Sequence, residues 1–365
     1  MALSKDEIAR YQRHLSLAGF GQAAQERLKA GSVLVIGAGG LGCPALIYLA
    51  AAGVGRIVLV DPDSVDLSNL QRQVLYTGDD QGMRKVEAAT RRLRALNPLV
   101  NIAPHPVRFD RSNALELVRS CDVVVDGSDN FPTRYLVNDA CEIAGRPFVY
   151  GAIQGFEGHA SVFNWRGGPT YRCLFPEPPE AGSVPNCAEA GVLGAVTGVI
   201  GTVQACEAIK LLSGVGEPLS GRLLIWDALS VTSNIVALKR DPARKPATEL
   251  PAEGYGEVCE PEFTPDEIDG EGLRRLISAG GRFQLLDVRE GWEREMGLIE
   301  PSTHVPLGRL EVSTAADIAP LDPAVQTVVY CAHGIRSLRG VRILRERHGF
   351  RSAVSLRGGM MAWSR

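Results

Sequence analysis

The chain of 365 residues lacks an excess of either charge, with 39 Lys+Arg against 42 Asp+Glu. That near balance argues against a non-specific nucleic-acid binder, which needs a basic surplus. Long hydrophobic runs are missing as well. The longest mostly apolar stretch, Ala190–Val203, has 14 residues and four glycines, too short to span a bilayer. The N-terminus, Met1-Ala-Leu-Ser-Lys-Asp-Glu7, has no basic segment followed by an apolar core, so no secretory signal is expected. Eight cysteines are too few for a disulfide scaffold at this length. Lysine is absent from the final 103 residues, which suggests a separate module there. These absences predict a soluble, cytoplasmic protein with neither membrane nor nucleic acid as partner.

What is present is an α/β pattern. With 45% apolar residues the chain can bury real cores. Apolar runs at Ser32–Ile36, Arg56–Val60, Asn101–Ala103, Cys121–Val125 and Pro147–Tyr150 read as strands. Helical stretches at Cys43–Ala52, Met83–Leu96, Asn113–Arg119 and Thr133–Ala144 separate them. Continuous apolar strands alternating with helices predict a doubly wound, Rossmann-like parallel sheet, whose ligands sit beyond the strand carboxyl ends. A buried helix over Ala188–Leu212 and strands Arg222–Trp226 and Val231–Leu238 would complete a first domain, 1–240. Asp241–Pro261, with four prolines, two glycines and no periodicity, reads as a linker within 241–262. A smaller α/β domain, 263–365, follows: helix Glu271–Ala279, strands Phe283–Asp287 and Thr327–Cys331, helix Ile335–Arg347, strand Ala353–Leu356.

Val33-Leu-Val-Ile-Gly37-Ala-Gly39-Gly40-Leu-Gly42 is a strand running into a G-x-G-x-x-G turn and a helix. Gly37 permits the turn, Gly39 lets backbone approach a phosphate, and Gly42 lets helix pack on strand. Asp61, 24 residues after Gly37, ends the next strand, where a carboxylate can grip ribose hydroxyls. A nicotinamide enzyme needs an acid or base poised on a hydroxyl or carbonyl, and none stands out. Arg72 and Lys85 with the carboxylate of Asp129 suit ATP and adenylyl transfer, the cations neutralising phosphate and Asp129 holding Mg²⁺.

Arg10-Tyr-Gln-Arg13-His14, the Gly37–Gly42 turn, Asn69-Leu-Gln-Arg72-Gln73, Lys85 and Ser128-Asp129-Asn130 carry a resemblance. Residues 1 to about 240 resemble the adenylyltransferases that activate the sulfur carriers of molybdopterin and thiamine synthesis, bacterial relatives of ubiquitin-activating enzymes. The resemblance implies that Gly37, Gly39, Gly40, Gly42, Asp61, Asn69 and Asn130 line the nucleotide, and that Arg72 and Lys85 contact its phosphates. It implies that Asp129 binds Mg²⁺ and that Arg13 reaches the partner's nucleotide across a homodimer. The carboxylate activated would be the C-terminal glycine of a small ubiquitin-like protein ending Gly-Gly.

Many such relatives hold structural zinc with two C-x-x-C pairs. Here the first place reads Thr170-Tyr-Arg-Cys173, and the second, Arg240–Ala247, has no cysteine, so no zinc is expected. Cys187, just before the 188–212 helix, matches the family cysteine that takes the activated carrier. A helix N-terminus would lower its thiol pKa. Cys43, Cys121, Cys141 and Cys206 read as core residues, and Cys259 has no assigned role.

Thr327-Val-Val-Tyr-Cys331-Ala-His-Gly-Ile-Arg336-Ser337 is a strand, a cysteine, a short loop and a helix. Loop amides would converge on Cys331, and Arg336 would add a charge favouring thiolate and persulfide. With Leu286-Asp287-Val-Arg289-Glu290 and Leu356-Arg-Gly358-Gly359, this module resembles a rhodanese domain. Ala332 departs from the family, standing where arginine is common, and His333 could tune the thiol or face solvent. The two resemblances together imply adenylation of a carrier and delivery of sulfur from a Cys331 persulfide, loaded by a persulfide or thiosulfate donor. An enzyme of the same fold acting on a small molecule or tRNA base, and a non-catalytic binder of a ubiquitin-like partner, remain open at this point.

Overall fold

The computed structural model describes residues 2–178, 191–252, 255, 266–314 and 316–363. The chain divides into two compact units, 1–257 and 258–365. Each is built on its own sheet.

In the first unit the strands are β1 (Ser32–Ile36), β2 (Arg56–Val60), β3 (Asn101–His105), β4 (Val123–Asp126), β5 (Phe148–Gln154), β6 (Glu157–Phe163), β7 (Arg222–Asp227) and β8 (Thr232–Ala237). They run in the order β3-β2-β1-β4-β5-β6-β7-β8. β1 to β5 are parallel, whereas β5–β6, β6–β7 and β7–β8 are antiparallel. The parallel half matches the doubly wound expectation. β6 is an addition the strand reading did not contain.

Helices cover both faces. On one, Gly42–Ala52, Lys85–Leu96 and Gly194–Ser213 pack a core with Leu46, Leu49, Val86, Leu93, Val196 and Ile200. On the other, Ala114–Arg119 and Phe131–Ala144 bury Leu117, Val118, Tyr135 and Val137. Gly194–Ser213 is 20 residues long and apolar enough by composition to cross a membrane, longer than the 14-residue run suggested. Half of that helix is buried inside the protein, as a core helix of an α/β unit would be. The part of the expected 188–212 helix before residue 191 lies outside the described residues.

The segment after residue 240 departs from the linker reading. Over its described part it packs on the first unit. Arg244 forks onto Glu142 at 2.8 and 2.6 Å, and Leu250 is buried. Tyr255 donates its hydroxyl to Asp139 at 2.8 Å, and Asp139 also takes a two-pronged bond from Arg172. The positions matching the relatives' zinc cysteines meet at this place: Arg244 bonds Thr170 Oγ1 at 3.0 Å, and the Asp241 amide points at Cys173 Sγ at 3.5 Å. Composition suggested flexibility because the anchors are single charged residues with partners far away in sequence.

A stability result follows. The side chain of Glu142 is 4% exposed and that of Arg244 14%. Removing one partner strands a buried charge, so Arg244→Met should lower stability by about 3 kcal/mol. Adding Glu142→Gln to it should restore most of that loss. Urea unfolding of the full chain reads both, and equal stability of Arg244→Met and wild type would refute the clamp.

In the second unit β9 (Glu267–Ile268), β10 (Phe283–Asp287), β11 (Thr303–His304), β12 (Gln326–Tyr330) and β13 (Ala353–Leu356) form a parallel sheet in the order β11-β10-β12-β13-β9. Helix Ile335–His348 follows the Cys331 loop, and Gly270–Ser278 caps on Asp269. The two short strands β9 and β11 had no signal in the sequence, each being two residues long.

Candidate active sites

Register brings the nucleotide residues together. Ile36 of β1 stands opposite Val60 of β2 and Asp126 of β4, so their carboxyl ends share one edge. The glycine turn sits in that notch, with Gly37 N–H bonded to Val60 O at 2.8 Å and Gly127 N–H to Ile36 O at 2.7 Å. Gly37 takes φ +89°, and a Cβ there would strike Gly127 O at 2.8 Å. At Gly42 a Cβ would fall 1.9 Å from Gly37 O, so only glycine lets this helix start so close to its own turn.

Asp61 holds the turn. Its Oδ2 accepts from Ala38 N–H at 2.7 Å and its Oδ1 from Asp63 N–H at 2.8 Å. Burial pushes this carboxyl up, with Lys85 pulling the other way. The carboxylate expected to grip ribose is therefore engaged first with the chain's own amides. Tyr76 hydroxyl and Cys43 thiol both bond Ala38 O, at 2.9 and 3.3 Å, so the turn is pinned on two sides.

Lys85 opens the helix Lys85–Leu96 and is buried, its Nζ 2.9 Å from Asp63. Asn69 and Arg72 are half-buried on the loop after β2, where Arg72 bonds Ser68 O at 3.1 Å. Gly194 presses on that loop, since a Cβ there would meet Gln71 O at 2.2 Å. Gly40 packs under Thr197 of the same helix. Asp129 is exposed just past β4, while Asn130 caps helix Phe131–Ala144 by accepting from Thr133 N–H at 2.9 Å. Asn130 thus has the capping task that an Asn just before a helix offers, read from the sequence as the alternative to its nucleotide role. Arg13 is exposed, with no ion-pair partner among the described residues. Cys187 lies outside the described residues.

The turn fits a polyanion. A Cβ on Gly39 would come within 4 Å only of Gln73 Nε2, leaving the Gly39 backbone approachable. Gln73 Oε1, Ser128 Oγ and Asp126 Oδ2 are buried without a hydrogen-bond partner in this structure. Buried polar atoms are normally satisfied, so the Gln73 and Asp126 oxygens call for donor groups on a ligand, while buried Lys85 and the glycine-turn amides beside them suit its anionic part. Asp129 is the carboxylate that would hold Mg²⁺, and the described residues hold no cluster of three or more metal-ligating side chains. One carboxylate plus nucleotide phosphates is an ordinary Mg²⁺ arrangement.

Asp126 yields a pH prediction. Burial raises its carboxyl from the ordinary 3.8 to about 6, partly offset by Arg134. The folded chain therefore holds a proton that the unfolded chain has released between those values. Stability should fall as pH rises through that window and stay lower above it. Asp126→Asn, whose amide oxygen can still accept from Ser128 N–H, should lack this fall. Unfolding midpoints at pH 4, 5, 6 and 7 compare the two; parallel profiles would refute it.

The sulfur site is more enclosed. Cys331 is 1% exposed, with Gly334 N–H on its Sγ at 3.1 Å and Ser337 Oγ at 3.5 Å. Ser337 is itself tied to Gly334 O and Ser355 Oγ, both at 2.8 Å. Gly359, at φ +56°, passes directly over the loop: a Cβ would meet Cys331 O at 2.2 Å, and Met360 N–H bonds that oxygen at 2.8 Å. Arg336 departs from expectation. Its guanidinium forks onto Glu293, at 2.8 and 2.5 Å, rather than standing free for the thiol. Glu293 was not singled out in the sequence, because its partner lies on another helix. His333 is exposed. Of the cysteines read as core, Cys43, Cys121 and Cys141 are buried, but Cys206 is exposed on the outer side of its helix. Cys259 lies outside the described residues.

Comparison with known proteins places this architecture. Residues 11–247 match the ThiF family and 271–365 the rhodanese-like domain, so the chain belongs to the ThiF family and carries a rhodanese-like domain. It is an adenylyltransferase joined to a sulfurtransferase. It is 42% identical over 381 residues to the probable adenylyltransferase/sulfurtransferase MoeZ of Mycobacterium tuberculosis, covering 100% of this chain and 94% of that one. It is 53% identical over 247 residues to the sulfur carrier protein adenylyltransferase of Thermus thermophilus, covering 66% of this chain and 91% of the relative. Among solved structures, E. coli MccB aligns with a TM-score of 0.59 at 23% identity, over 67% of this chain and 73% of that one, a likeness of fold.

Proposed function

We propose that the first unit adenylates the C-terminal glycine carboxylate of a small ubiquitin-like sulfur carrier ending Gly-Gly, and that Cys331 then supplies sulfur as a persulfide. A carboxylate is a poor acyl donor because oxide is a poor leaving group. Attack of the carrier carboxylate on the α-phosphate of ATP forms an acyl-adenylate and releases pyrophosphate. Lys85 and Arg72 neutralise charge on the phosphates as it shifts to the leaving group, and Asp129 would hold Mg²⁺, which would add positive charge there. Asn69 supports the phosphate loop, and Arg13 reaches the partner's nucleotide in a homodimer. The persulfide terminus attacks the acyl carbon and AMP leaves, giving an acyl disulfide to Cys331. Cys187 thiolate attacks the Cys331 sulfur, freeing the thiocarboxylate and leaving a Cys187–Cys331 disulfide for an external thiol to reduce. The setting for this chemistry is the cytoplasm.

The observation that carries the first step is the glycine turn beside buried Lys85 and the unpartnered Gln73 and Ser128 oxygens. Supporting it are the names of the relatives at 42% and 53% identity. The test is intact mass. Candidate Gly-Gly-ending carriers are incubated with the full chain, Mg²⁺-ATP and a persulfide donor. A carrier in which sulfur replaces oxygen supports the reading; no change in any carrier, with a related enzyme active alongside, overturns it.

A further inference from the structure

The pair Glu293–Arg336 bears on which sulfur donor the second unit accepts. Glu293 lies on the short helix Gly291–Arg294, and its carboxylate takes both prongs of Arg336. Burial would raise this carboxyl, but the Arg336 bonds hold it below its ordinary range. Arg336 follows the Cys331 loop and is within electrostatic reach of the thiol. Other arginines of this end are paired as well. Arg289 forks onto Asp287 at 2.9 and 2.8 Å and Arg357 stands 3.9 Å from Asp269, whereas Arg294 only shares the Asp287 carboxylate at 3.5 Å, its Nε making no hydrogen bond. Ala332 adds no cation where arginine is common in the family.

We propose that Glu293 is a positioning residue that sets donor choice: by holding Arg336 it denies a dianion a free cation, so Cys331 is loaded by thiol persulfides in preference to thiosulfate. The inference rests on Cys331 being the sulfur acceptor. With a persulfide R–S–SH, Cys331 thiolate attacks the outer sulfur; the new S–S bond forms as the old one breaks, and the electron pair leaves on R–S⁻. The neutral donor brings no charge in, and a single negative charge leaves. With thiosulfate the same attack expels sulfite, so a dianion must both bind and depart beside the thiolate. A neutral ion pair gives little help with that, whereas an unpaired guanidinium would. The loop amide at Gly334 serves both donors alike.

Single-turnover loading of Cys331 in the full chain, followed by intact mass, tests the proposal. The donors are thiosulfate and 2-hydroxyethyl persulfide, whose tail is uncharged. Glu293→Gln should lower the half-saturating thiosulfate concentration about tenfold while moving that for the persulfide less than about twofold. Glu293→Asp should keep the wild-type preference. Equal changes for both donors mean a merely structural role and overturn the proposal, as does no change in either. If Glu293→Gln fails to fold, Ala332→Arg decides alone: an unpaired cation added to the same loop should favour thiosulfate selectively, and no selective gain is a refutation. Loading that survives Cys331→Ala would instead sink the assignment of the acceptor.

Discussion

Cys331→Ala is expected to abolish thiocarboxylate formation completely while leaving ATP–pyrophosphate exchange with the carrier within about twofold of wild type. Removing a nucleophile that forms the covalent intermediate ends that route outright, since no neighbouring group can take its place. Beside Cys331 the candidates are hydroxyls, Ser337 on the following helix and Ser355 on β13, and both are already bonded to each other and to Gly334 O. The substitution costs little structurally, because the thiol fills a small buried site and its one amide partner, Gly334, is in a loop held by Gly359. The residues proposed for adenylation all belong to the first unit, so exchange should persist. Radiolabelled pyrophosphate exchange and carrier mass, measured on the same sample, separate the two activities. Surviving thiocarboxylate would remove Cys331 from the mechanism, and loss of exchange would show that the two steps are not independent.

Lys85→Ala should have the opposite signature. Adenylate formation should fall by about 10²–10³, the typical cost of losing one preorganised charge contact. Loading of Cys331 should be unchanged. Lys85 Nζ is buried with a side-chain exposure of 7%, whereas its partner Asp63 is 63% exposed. Asp63 can turn to water once the lysine is gone, so the fold loses little and the deficit falls on the reaction. The same asymmetry lets an incoming nucleotide draw the cation away from Asp63. Exchange kinetics with saturating carrier read the effect, and retained exchange in Lys85→Ala would remove this residue from the phosphate site.

The parallel half of the first sheet was legible because its strands are short apolar runs separated by amphipathic helices. β1 and β2 fall at the expected residues, as do β10 and β13 of the second unit. β6, Glu157–Phe163, was not legible. It carries Gly158, His159 and Ser161, and reads as loop until the fold supplies its neighbours. Gly158 is there because a Cβ would meet Ile200 Cγ1 at 2.3 Å, a packing demand from a helix more than thirty residues later in the chain. Over its described residues, 241–252 and 255, the linker segment packs on the first unit, for a related reason. Prolines and glycines describe local flexibility, but Arg244 and Tyr255 anchor the segment through partners that composition does not see.

The chemistry divides in the same way. The sequence alone picked out the candidate nucleophile, the glycine turn and the candidate cations, because those depend on residue type and short spacing: four residues separate Cys331 from Arg336, and three glycines shape one turn. Only the tertiary structure decided what these groups face. Arg336 is committed to Glu293, 43 residues away, and Arg244 to Glu142, 102 residues away. Asp61 serves the Ala38 amide, 23 residues away, before any ligand. An ion pair of this kind is a relation between distant parts of the chain, set by which strand lies beside which, and no local pattern of residues encodes it.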